Sequence, residues 1–170
     1  MKGKQFFFKK GSIIQHSGEY KMKTYIVREG LLRVYLIDDH GKEHIYMFAP
    51  EGWSVWDPEL AIGKQTSQLF IEAVEDSKLE IVYNPTLDLP NMSYEEIDRV
   101  IQQMTKRLAV LQRRILSNMS LPAINRYLEF VETYPSIVNR VPQHHIASYI
   151  GVTPEALSKV KRQYEKNLGH

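Results

Sequence analysis

The hydrophobic pattern changes period along the chain. Over the first 85 residues, apolar runs at 25–27, 31–37, 44–48, 68–73 and 78–83 are rich in β-branched, aromatic and leucine residues. Breaks at Glu29-Gly30, Asp38-Asp39-His40-Gly41 and Pro50-Glu51-Gly52 separate the first of these runs. Short runs punctuated in this way predict strands joined by turns. Leu32, Val34 and Leu36 alternate with Arg33, Tyr35 and Ile37. That strand is therefore predicted to have an inward and an outward face, as in a small barrel or jelly roll.

Beyond residues 85–91 the period becomes helical. Ser93 and Glu96 stand at capping-box spacing, which marks a helix start. Ile97, Ile101, Met104, Leu108, Leu111 and Ile115 follow at steps of four, three, four, three and four. This is the seam of a coiled coil and predicts a parallel homodimer, the alternative being a long helix packed on its own β domain. Val100, Val110 and Leu116 form a second apolar row, so one stripe can face the roll and the other a twin helix. Residues 117–122 read as a hinge, 123–133 as a further helix, and Tyr134-Pro135 as its end.

The segment from Val141 to Arg162, VPQHHIASYIGVTPEALSKVKR, has the spacing of two short helices meeting at a tight turn. Ala147 is the small residue at the crossing and Gly151 makes the turn. Ile146, Ile150, Val152, Leu157 and Val160 supply the buried faces. Thr153 suits the cap of the second helix, Pro154 its first turn, and Glu155 the positive end of its dipole. The outer face carries Glu155, Ser158, Lys159, Lys161 and Arg162, a composition able to read base edges and phosphates. From Ala156 onward Lys159, Lys161, Arg162 and Lys166 face only Glu165, in a chain whose net charge is just +2. A local basic face on a nearly neutral protein predicts an anionic partner, here double-stranded DNA; the alternative is a helical hairpin that merely closes a small domain.

A length of 170 residues, 43% of them hydrophobic, allows one or two domains with real cores. No apolar run approaches the ~20 residues that span a bilayer, and the Phe6–Phe8 triplet between lysines is too short for a signal-peptide core. A cytoplasmic location is the expectation. With no cysteine, disulfides, thiolate zinc sites, cysteine-held iron–sulfur clusters and thiol sensing are excluded. There is no nucleophile elbow, P-loop or HExxH signature, so no enzyme, catalytic residue, metal or cofactor is expected. The rival reading is a cupin-like barrel holding a small ligand or a metal through His40, Glu43 and His44, with enzymatic activity and a helical tail that does not bind DNA. Haem ligation through His16, His40 or His44 and an apolar pocket lined by Phe48, Trp53, Trp56 and Phe70 are weaker readings, since such residues commonly sit on surfaces or in cores.

The order of roll, helix and hairpin, with Gly30, Gly41, Pro50-Glu51-Gly52, the Ile71, Ala73, Leu79 and Ile81 pattern and HIASYIGVTPEALSKVKR, resembles the CRP/FNR family of bacterial transcription regulators. The resemblance implies an α+β chain with a cyclic-nucleotide-binding-like β-roll at 1–91, a dimerisation helix at 92–118 and a helix-turn-helix domain at 119–170. Nucleotide-binding members follow the Pro-Glu-Gly turn with a Gly-Glu pair and then an Arg-Ser or Arg-Thr pair. By ungapped counting Trp56-Asp57 and Ser67-Gln68 stand there instead. Without the arginine, burying a phosphate is costly unless Lys64 reaches in, so neither cyclic AMP nor cyclic GMP is expected to bind. The resemblance places base-reading positions at Pro154, Glu155, Ser158 and Lys159. His144, Lys161 and Arg162 fall near phosphates, and Thr153 at the start of the reading helix. Two such helices on a twofold axis imply a near-palindromic site, with RNA polymerase and an unidentified small-molecule effector as further candidate partners. After Lys166 four residues remain, too few for the family's two-stranded wing; either the wing is missing or the chain is shortened, and contact would then lean on the dimer and on Arg140.

Overall fold

The computed structural model describes residues 3–63, 65–83 and 91–168, with side chains up to Tyr164. Lys64, the greater part of the 85–91 transition, Gly169 and His170, and the side chains of Glu165 and Lys166, lie outside the described residues. The chain divides into two compact units, residues 1–85 and 86–170.

The first unit is an antiparallel roll of two four-stranded sheets. One runs β1 (Lys4–Phe8), β8 (Ser77–Tyr83), β3 (Lys23–Glu29), β6 (Ser54–Val55); the other runs β2 (Ile13–Gln15), β7 (Phe70–Ala73), β4 (Leu32–Ile37), β5 (Glu43–Ala49). A short helix, α1 (Pro58–Ala61), follows β6. Tyr25, Val27, Leu32, Val34, Ala49, Val55, Ile71, Ala73, Leu79 and Ile81 form the buried core between the sheets, flanked by Trp53. Alternating residues on twisted strands deliver one apolar face to such a core.

The roll differs from the sequence reading in three respects. Strands β1, β2 and β6 were not anticipated: β1 is a polar-flanked phenylalanine run without alternation, and the other two are too short to show a period. The outward residues Arg33 and Tyr35 are buried rather than solvated, because Arg33 is enclosed by Glu43 and Glu72 and Tyr35 stacks on Phe70 at 5.2 Å between centroids. Leu36, an expected inward residue, is exposed near the hairpin tip. The ladder also carries a β-bulge: Val34 pairs with Met47 but Tyr35 with Ile45, which leaves Tyr46 as the extra residue of β5.

Gly30 and the Pro50–Gly52 turn hold the roll's corner. Gly30 has φ +96°, and a Cβ there would meet Ser77 Oγ at 2.3 Å and Asp76 O at 2.7 Å. Only glycine supplies both that conformation and that closeness. Its amide donates to Glu51 Oε1 at 3.1 Å, while Gly52 N donates to Val27 O at 2.9 Å.

The second unit is helical: α2 (Tyr94–Ser120), α3 (Ala123–Thr133), α4 (Gln143–Ile150) and α5 (Pro154–Leu168). Both halves of the predicted capping box are present, Glu96 N donating to Ser93 Oγ at 3.2 Å and Ser93 N to Glu96 Oε2 at 2.8 Å. The predicted hinge is shorter than expected. Helix α2 continues through Ser117 to Ser120, and only Leu121 and Pro122 separate it from α3. Serine and asparagine are weak helix breakers, and tertiary packing overrides their preference. Tyr127, Phe130, Tyr134, Ile137, Tyr149, Ile150, Leu157 and Val160 are buried. Within this core Phe130, Tyr134 and Tyr149 meet pairwise at 5.3–5.6 Å between ring centroids, in the tilted and edge-on arrangements that aromatic quadrupoles favour.

Candidate nucleic-acid interface and effector pocket

Helices α4 and α5 meet at the turn the sequence specifies. Ile146, Ala147, Ile150, Leu157 and Val160 are buried and Val152 half-buried. Gly151 is left-handed at φ 69°, ψ 40°, closing α4 as a C-cap, the conformation in which an L side chain is strained. Val152 N donates to Ala147 O at 3.0 Å across the turn. Thr153 caps α5, its hydroxyl accepting from Ala156 N at 3.2 Å.

This packing leaves one face of α5 uncovered. His144, Thr153, Pro154, Glu155, Ser158, Lys159 and Arg162 are exposed, whereas Lys161 is half-buried at its flank. Ser158 Oγ donates to Pro154 O at 3.0 Å and Arg162 Nε to Ser158 O at 3.3 Å, which steadies both along the helix. Glu155 is held below the usual carboxylate range by its own backbone N–H and then by the Thr153 hydroxyl. In this state its carboxylate serves the helix start rather than pointing free.

Helix α2 carries an uncovered apolar stripe. Ile101, Met104, Leu108 and Ile115 are exposed, Leu108 at 65%, while Ile97 and Leu111 are half-buried. Leu116, of the second row, is exposed as well. A 27-residue helix with only one residue buried, Ser117, and four seam residues in solvent lacks the cover its period calls for.

In the roll, the region after the Pro-Glu-Gly turn is closed by its own polar groups. Asp57 is 7% and Ser67 1% exposed. Asp57 Oδ1 accepts from Glu59 N at 2.9 Å, capping α1, while Oδ2 accepts from Ser67 Oγ at 2.5 Å. Ser67 Oγ accepts in turn from Gln15 Nε2 at 3.2 Å and from Leu69 N at 3.1 Å. Gln15 Oε1 accepts from Tyr25 OH at 3.1 Å. Burial, followed by the charges of Glu19 and Tyr83, pushes the Tyr25 phenol well above its ordinary value, so it remains a donor. Asp57, Ser67, Gln15 and Tyr25 thus form a buried chain in which each link satisfies the next. Trp56 is half-buried, and Gln68 is exposed and outside this chain. Gln15 and Tyr25 were not picked out from sequence; they reach the site only when the two sheets close.

The residues of the rival readings are not brought together. His40 is exposed, Glu43 engages Arg33, and His44 Nε2 lies 2.7 Å from Asp38 Oδ2. His16 packs edge-on to Phe70 at 6.1 Å. Trp53 lies against the inner core while Phe70 stacks on the opposite face of β4, so the four aromatics do not line one pocket. Among the described residues no group of three histidine, aspartate or glutamate side chains could hold a metal, and no helix is long and apolar enough to cross a membrane.

Residues 5–84 match the family model of the cyclic nucleotide-binding domain. No curated protein matches the chain. Among solved structures, FixK2 from Bradyrhizobium japonicum aligns with TM-score 0.81 at 18% identity, over 98% of this chain and 86% of that one. CLP of Xanthomonas campestris, described as a c-di-GMP responsive global regulator, aligns with TM-score 0.70 at 15% identity, over 97% and 87%. A CRP/FNR transcriptional regulator from Thermus thermophilus aligns with TM-score 0.60 at 21% identity, over 96% and 87%. These likenesses extend through the helices as well as the roll, and at such identities they establish the fold.

Proposed function

We propose that this chain, whose roll belongs to the cyclic nucleotide-binding domain family and whose fold is that of the CRP/FNR regulators, is a homodimeric, sequence-specific DNA-binding transcription regulator that does not respond to cyclic AMP or cyclic GMP. The observation that carries it is the left-handed turn at Gly151 between two packed helices, the second with an uncovered polar and basic face. Lys159 would donate to guanine O6 or N7, and Glu155, once released from its own helix start, would accept from cytosine N4. Arg162, His144 and the flanking Lys161 would contact phosphates. The uncovered seam of α2 supports the dimer: pairing it with a second copy removes apolar surface from water and sets two reading helices about 34 Å apart.

The closed Asp57–Ser67–Gln15–Tyr25 chain supports the absence of a nucleotide response. A cyclic phosphate entering there would have to break satisfied buried hydrogen bonds without meeting a described guanidinium. Selection of bound sequences from random duplexes, with gel filtration alongside, tests the proposal. A near-palindromic consensus from a dimeric species is expected. A monomer that retains no duplex even in dilute salt refutes the role, and micromolar binding of either cyclic nucleotide refutes the unresponsive roll.

A further inference from the structure

The helical unit contains a cleft that neither DNA contact nor the seam accounts for. It opens to solvent beside the last turns of α2, against α3 and the end of α4. Three guanidiniums, Arg113, Arg114 and Arg126, line it against one carboxylate, Glu129. Arg114 has a structural task. Its Nη2 donates to Tyr149 O at 2.9 Å and its guanidinium lies 4.0 Å from the Tyr149 ring centre, so it serves the carbonyl end of α4.

Arg126 and Ser117 have no such task. Among the described residues the buried Arg126 Nε has no acceptor, and neither Arg126 nor Arg113 is engaged in a salt bridge. Ser117 is 4% exposed, lines the same cleft, and its Oγ has no hydrogen-bond partner among the described residues. Buried donors without acceptors are rare and destabilising, more so on a cation. A tetrahedral oxyanion satisfies them together: its oxygens accept from the planar guanidinium fork and from a hydroxyl. Three positive groups against one negative leave a surplus that matches a dianion.

We propose that this cleft binds a small phosphate-type oxyanion, either inorganic phosphate or the phosphoryl group of a small metabolite, held by Arg126 and Arg113 with Ser117 Oγ donating. The test is calorimetric titration of the full chain with inorganic phosphate and, separately, ribose 5-phosphate, at an ionic strength matched with sodium chloride. Saturable binding is expected, weakened about tenfold or more in Arg126→Gln and in Arg113→Gln, as removal of a charge-assisted hydrogen bond requires. It should be unchanged in Arg99→Gln, which removes an exposed cation near the start of α2. Arg113 is exposed, so its variant keeps the test decisive should Arg126→Gln fail to fold. Preference for the sugar phosphate assigns the metabolite source and preference for free phosphate the other, each supporting the site. No heat beyond the chloride control, or an equal loss in Arg99→Gln, overturns it.

Discussion

Ser67 and Lys159 show how differently one side chain can matter in this protein. Ser67 both donates to Asp57 and accepts from Gln15 and Leu69 N inside the roll. Its replacement by alanine strands buried partners and should cost about 1–3 kcal/mol in urea unfolding. Gln68→Ala, on the exposed neighbour, should stay within about 0.5 kcal/mol. Lys159 carries no such structural duty. If it reads a base, Lys159→Ala should relax preference at one base pair by ~1–3 kcal/mol. Arg162→Ala should instead weaken all duplexes alike and lower the salt slope by about one for each phosphate it neutralises. The opposite pattern in binding assays on a selected site would exchange their roles. Ungapped counting from Gly52 drew attention to positions 56, 57, 67 and 68, of which Asp57 and Ser67 are buried and bonded to each other. Sequence concealed Gln15 and Tyr25, since a glutamine 52 residues from Ser67 announces nothing until the sheets bring them together.

Elements with a clear period were legible, and elements formed by their neighbours were not. The limits of α3, the capping box of α2 and the α4–α5 turn follow from local signals such as Ser93, Glu96, Gly151 and Thr153. Strands β2 and β6 exist because β7 and β3 offer them backbone partners; two or three residues cannot display an alternation. The burial of Arg33 was equally hidden, since it depends on Glu72 from β7 and Glu43 from β5. Burial works against that charge, but hydrogen bonds from Arg33 to Glu43 and Glu72 outweigh it and raise the guanidinium's affinity for its proton. For α2 the helix and its apolar stripe were legible, while the stripe's use as a dimer seam is a proposal. Leu108→Glu, at an exposed centre of that seam, should leave the helix and the monomer's melting unchanged while shifting gel filtration and sedimentation toward monomer. Retention of a dimer by this variant would move the interface elsewhere.

Across the whole molecule, the two units carry their electrostatics in different places. In the roll Glu19, Asp38, Asp76 and Glu80 are all held below their ordinary values, chiefly by hydrogen bonds from Lys23, His44, Lys9 and Arg28 respectively. In the helical unit Glu95 and Glu155 are lowered by their own backbone N–H groups at helix starts. A carboxylate whose folded value is depressed binds fewer protons when native, so its contribution is present above the unfolded value and is lost as pH falls through the folded one. Stability of the roll is therefore expected to decline as pH drops below 4.5 and then 3.8, the ordinary glutamate and aspartate values. Because each of these carboxylates keeps part of its side chain in solvent, added salt should shrink the effect. The protein's two tryptophans, Trp53 and Trp56, both lie in the roll, so their fluorescence during denaturation at graded pH reports that unit alone. A flat acid limb would remove these pairs from the account.

The staple from Asp57 through Ser67 and Gln15 to Tyr25 ties β2 of one sheet to β3 of the other, and this has an evolutionary reading. A lineage that set out to acquire ligand control here could not advance one codon at a time. Ser67→Arg by itself would break the hydroxyl's bonds to Asp57 and Gln15 and force a long side chain into a site only 1% exposed, before any effector could reward the change. Responsiveness is thus separated from the present state by an unstable intermediate, and deep mutational libraries should recover it only from paired or multiple replacements.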